Sequence, residues 1–86
     1  MRWLAEMVDI CRRAFECDPV SDALCRRLMN ALAQVGQSVE AVEVFLAFRT
    51  SLHALQRGEP SAATVDLYKK IQALSPPAAV AGGGGG

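Results

Sequence analysis

Neither charge is in surplus in this sequence: nine Lys and Arg residues stand against nine Asp and Glu, with a single His. A free-standing nucleic-acid binder carries a basic excess that steers it to phosphate, and the total shows none. Also missing is a run of the roughly 18–20 apolar residues that a membrane span needs. The N-terminal stretch MRWLAEMVDICRR is interrupted by Glu6 and Asp9, so it lacks the continuous apolar core of a signal peptide. The chain is therefore read as cytoplasmic.

Patterns of reactive residues are absent too. His53 is the only histidine and sits between Leu52 and Ala54, with no Cys or Ser nucleophile at a recognisable spacing. The five C-terminal glycines have no helix after them, so they cannot form a phosphate-cradling loop. Acidic residues are scattered singly and suggest neither a metal cage nor a working carboxylate pair. Cys11, Cys17 and Cys25 are separated by five and seven residues, unlike the close C-x-x-C pairs of zinc sites. Each is read as structural or incidental, since free Cys behaves as a small buried hydrophobe. No catalytic, cofactor-binding or metal-binding residue is expected, and the chain is not read as an enzyme.

What is present is apolar and helical. Half of the residues, 51%, are hydrophobic, which suits a packed core rather than a disordered chain. With 86 residues the chain is one small domain or a fragment of one. Leu4, Met7, Val8, Cys11, Ala14 and Phe15 fall on one stripe of a first helix, which Asp18-Pro19 ends because the residue before proline leaves the α region. Ser21 or Asp22 can cap a second helix carrying Leu24, Leu28, Ala31, Leu32 and Val35 inward, with Gly36 as its left-handed stop. Ser38 caps a third, with Glu40 in its first turn and a stripe of Ala41, Val42, Phe45, Phe48, Leu52 and Leu55.

Gly58 and Pro60 break that helix, and Ser61 opens a fourth that holds Val65, Leu67, Tyr68, Ile71 and Leu74. No stretch alternates with period two. The expectation is an all-α domain over 1–74 made of four helices in antiparallel hairpins, followed by a Pro/Ala/Gly tail over 75–86 without regular structure.

The stretch LMNALAQVGQSVEAVEVFLAF poses a choice between a DNA-reading helix-turn-helix and a stacking helical hairpin. A reading helix must offer donors to base edges and phosphates. Here it offers Glu40 and Glu43 first and no cation before Arg49, so direct nucleic-acid binding is the least favoured reading. The spacing of Gly36, Ala41 and Phe45 instead resembles the second half of a tetratricopeptide repeat: glycine closing one helix, a small residue at the crossing, an aromatic filling the gap. Leu28 and Leu32 take the large apolar positions of its first helix, Ala14 the small position of a preceding repeat, and Asp18-Pro19 the junction. Cys25 stands where that repeat often has Trp, Met29 where it often has Gly, and Phe48 where it favours Ala. A bulky Phe48 is expected to widen the local helix spacing.

The run from Ala41 to Leu74 narrows the resemblance. Phe48-Arg49 and Leu52, then Glu59-Pro60-Ser61, then Leu67-Tyr68 are similar in order and spacing to the bacterial transcriptional activator domain of antibiotic regulatory protein-type regulators. The Leu-Gly expected before the acid is replaced by Gln56-Arg57-Gly58. The resemblance covers roughly residues 5–74. It implies an α-α superhelix fragment corresponding to the C-terminal half of that domain, with a winged-helix DNA-binding domain lying N-terminal in the family.

The implied function is a non-catalytic protein-interaction or oligomerisation module, with itself, the transcription machinery or a regulator as partner and no membrane association. The alternative is a tetratricopeptide-type chaperone or adaptor that binds a peptide in its groove, as in secretion systems. Trp3, Leu4, Met7, Ile10 and Cys11 are the expected homodimer contact, because a lone repeat cannot bury both faces of its edge helix. The competing reading is that Trp3 folds over its own helix end. The basic pairs Arg12-Arg13, Arg26-Arg27 and Lys69-Lys70 are read as solvated helix faces. The sharper alternative is that Arg12, Arg13, Arg26 and Arg27 line one surface and dock an acidic peptide or an RNA polymerase subunit.

Overall fold

A computed structural model describes residues 2–74. Among them are four helices and no strand: α1 (Arg2–Cys17), α2 (Asp22–Gln34), α3 (Ser38–Ala54) and α4 (Ala62–Leu74). Successive helices pack as adjacent hairpins, and α4 also leans on α2. The reading of the tail falls on 75–86, outside the described residues.

The helix ends follow local chemistry. The Asp18 amide donates back to the carbonyls of Ala14 and Phe15, both at 3.1 Å, and Pro19 then prevents continuation. Ser21 caps α2, its hydroxyl accepting the Leu24 amide at 3.2 Å. At the other end Gly36 has φ +82°, and the amides of Gly36 and Gln37 return to the carbonyls of Ala33 and Leu32. That paired closure satisfies two carbonyls that the helix end leaves orphaned. A Cβ at Gly36 would meet nothing within 4 Å, so backbone conformation, not space, selects glycine there.

Two expected boundaries are corrected. Ser38 is the first residue of α3 rather than its cap; Gln37 precedes it and makes no side-chain capping bond. The end of α3 comes before Gly58 and Pro60, at a second closure in which Gln56 and Arg57 return their amides to His53 and Leu52. Gln56 itself adopts the left-handed conformation, with φ 56°.

The core is one cluster running through all four helices, with Leu28, Met29 and Leu32 from α2 and Phe45, Phe48 and Leu52 from α3 at its centre. Each such side chain withdrawn from water contributes roughly 1.5–3 kcal/mol. Cys25 and Met29 are wholly buried, with a thiol-to-thioether contact of 3.5 Å, where the repeat pattern has Trp and Gly. Buried Val44 and Thr64 also lie off the expected stripes. Leu55 and Leu74, expected inward, are exposed: Leu55 is the residue just past α3 and Leu74 the last residue of α4.

Phe48 is fully buried and meets the ring of Phe15 in α1 at 6.4 Å between centroids. The two rings fill the space between α1 and α3, whose backbones never approach within 8 Å. Phe45 stacks on Tyr68 at 4.1 Å and an interplanar angle of 13°, which fastens α4 to α3. In consequence α1 touches only α2 at backbone range and is the edge of the stack.

Candidate interaction surfaces

Because α1 packs from one side only, its opposite side is left open. Trp3 is 61% exposed, Met7 40% and Ile10 66%, at spacings that place them along one helical face. Leu4 turns the other way and is 7% exposed, so it supports this face from beneath rather than offering itself to a partner. Cys11 is half-buried. With Met7 and Ala31, and with the polar Arg27, Asn30 and Gln34, it lines a recess between α1 and α2. Of the five residues expected at a contact, three are outward, one is intermediate and one belongs to the interior.

The four arginines do not converge. Consecutive helical residues differ by about 100° around the axis, so each pair splits between two faces. Arg12 reaches across to Glu40 of α3 at 3.7 Å, while Arg13 pairs with Asp9 along α1 at 3.0 Å. Arg27 borders the α1–α2 recess. Arg26 points to α4, donating to the hydroxyls of Thr64 at 3.0 Å and Ser61 at 3.4 Å.

That last contact belongs to a polar junction. One carboxylate oxygen of Asp22 accepts from the Ser61 hydroxyl at 2.7 Å, the Ser61 amide at 3.2 Å and the fully buried Thr64 hydroxyl. Arg26 stands 3.6 Å from the same oxygen. Ser61 also caps α4, its hydroxyl accepting the Thr64 amide at 3.4 Å. Partial burial works against the charge on Asp22, but the bonds from Thr64 and Ser61, with Arg26 nearby, outweigh it and hold its pKa below the usual carboxylate value.

Ser61 and Asp22 are both legible as helix-cap residues. Their meeting across 39 positions is not, because nothing in local periodicity reports how α4 returns to the start of α2.

An open cleft remains between α1 and α3. Phe15, Leu28 and Val44 form its floor, and Arg12, Glu16, Glu40 and Glu43 its rim.

Among the described residues no group of three or more His, Cys, Asp or Glu could hold a metal ion. Burial, reinforced by the nearby charge of Asp22, pushes the Cys25 thiol up to about 12, which leaves it protonated and unreactive at neutral pH. His53 is half-exposed, with its Nε2 2.9 Å from a Glu59 carboxylate oxygen.

Hairpins stacked edge to edge, with an open apolar helix at one end, define a helical repeat-type module. The chain belongs to the bacterial transcriptional activator domain family, whose model matches residues 3–72. No curated protein and no solved structure gives a significant match.

Proposed function

We propose that the chain is a non-catalytic interaction and oligomerisation module of a bacterial transcriptional regulator, acting in the cytoplasm, and that the outer face of α1 is its self-association surface. The carrying observation is the exposure of Trp3, Met7 and Ile10 on one face of the edge helix. Large apolar side chains lying together in water favour a partner that covers them, and a second copy presents the same stripe. Further partners are the transcription machinery or a regulator protein.

Direct nucleic-acid reading has little to support it: α3 commits Phe45 and Phe48 to the core and turns Glu40 and Glu43 outward. No described helix is long and apolar enough to cross a membrane. A chaperone-like peptide groove has less to support it, since α2 and α4 pack directly and Asp22 ties them together.

Sedimentation velocity tests the proposal. The wild-type chain is expected to form a dimer at high micromolar concentration. A Trp3→Glu/Ile10→Glu variant should stay monomeric with unchanged far-UV circular dichroism. A wild-type chain that sediments only as monomer in that range rejects the dimer.

A further inference from the structure

The cleft lies between α1 and α3, whose Cα atoms stay more than 8 Å apart and whose cores meet through the Phe15 and Phe48 rings. Its floor is apolar, made by Phe15, Leu28 and Val44. Its rim carries Glu16 on one side and Glu40 and Glu43 on the other. The one cation there, Arg12, is engaged with Glu40 across the cleft at 3.7 Å, while Glu16 and Glu43 take part in no ion pair among the described residues. Three carboxylates around one guanidinium leave the opening with a net charge of two negatives.

We propose that this cleft docks a cationic amphipathic helix of a partner protein, carrying lysine or arginine at its edges and one bulky apolar side chain for the floor. The charge chooses the occupant. An acidic peptide or a nucleic-acid backbone would face three carboxylates, whereas a cationic helix supplies the counter-charges that Glu16 and Glu43 lack. It would also compete with Arg12 for Glu40. The outer face of this same chain's α1 is a poor occupant, because its cations Arg2 and Arg13 already pair with Glu6 and Asp9. The cleft is distinct from the Trp3–Met7–Ile10 face, so docking and self-association stand or fall separately.

The test is an NMR titration of the 15N-labelled chain with a synthetic lysine–leucine peptide of about 15 residues, the length at which helices become marginally stable. Its glutamate–leucine counterpart serves as the control. Saturable shifts are expected at Arg12, Glu16, Glu40, Glu43 and Val44 with the cationic peptide and none with the acidic one. Neutralising the free rim in Glu16→Gln/Glu43→Gln should weaken binding roughly fivefold or more, the scale of two partly solvated ion pairs. Removing the resident competitor in Arg12→Gln should tighten it, a sign that general destabilisation cannot produce. A Trp3→Glu/Ile10→Glu background should leave the affinity unchanged. No saturable binding overturns the proposal. So do equal binding of both peptides, shifts centred on Trp3 and Ile10, or an affinity indifferent to the rim variants.

Discussion

Gly36 and Gln56 perform the same task at the ends of successive helices. Each turns the chain into the left-handed region just past a helix end and lets the amides that follow close the last carbonyls, but only one of them is glycine. A side chain with a Cβ costs about 1–2 kcal/mol in that conformation, so the two positions should respond to substitution with opposite signs. Gln56→Gly is expected to stabilise the fold by roughly 0.5–1 kcal/mol, and Gly36→Ala to destabilise it by a similar amount. Urea denaturation followed by circular dichroism would show the midpoint moving up for one and down for the other. Movement in the same direction would contradict this account of the two closures.

The contrast also marks how far single residues are legible. Gly36 announces its turn because positive φ belongs to glycine; Gln56 hides one, since Gly58 nearby is the stronger signal and lies outside the helix closure.

At the scale of helices, the expected stripe of α1 loses Met7 to the outer face, and the stripe of α2 falls short of its buried arc. The second helix packs against all three others, so its buried arc includes Cys25 and Met29 as well as Leu28, Ala31 and Leu32. A single apolar stripe underestimates such an arc. The last helix is held by two dissimilar fasteners, the Phe45–Tyr68 stack and the Asp22 junction, and only the apolar one follows from periodicity.

The junction gives α4 docking a pH dependence. The carboxyl of Asp22 has a lowered pKa in the fold, so its contribution is present above the unfolded value of about 3.9 and is lost as pH falls through the lowered one. Asp22→Asn should cost about 1–3 kcal/mol at pH 7, the scale of hydrogen bonds to a charged acceptor. The gap between wild type and variant should narrow below about pH 4, as protonation removes the same charge from the wild-type carboxyl. Equal gaps at pH 7 and pH 3 in urea titrations would place the value of Asp22 elsewhere.

For the whole molecule, the arrangement of helices decides what the surface can do. Stacked hairpins bury the interior faces and leave the edge helix α1 with an unpartnered apolar side, a feature that follows from packing order rather than from any motif. The sequence carries Trp3 and Ile10 off the inward stripe of the first helix, so this face was legible; the dispersal of the four arginines was not, because it depends on how α1 and α2 are rotated against their neighbours.

Trp3 is the only tryptophan in the chain, which makes it a built-in reporter at the centre of the proposed contact. The most direct measurement is its fluorescence, with acrylamide quenching, across a dilution series from high micromolar to nanomolar. Burial at a dimer contact predicts an emission maximum that shifts to the blue and a quenching constant that falls as concentration rises, along one binding curve. An emission maximum and quenching constant that stay the same throughout would mean that water never leaves Trp3, and the self-association face would be contradicted.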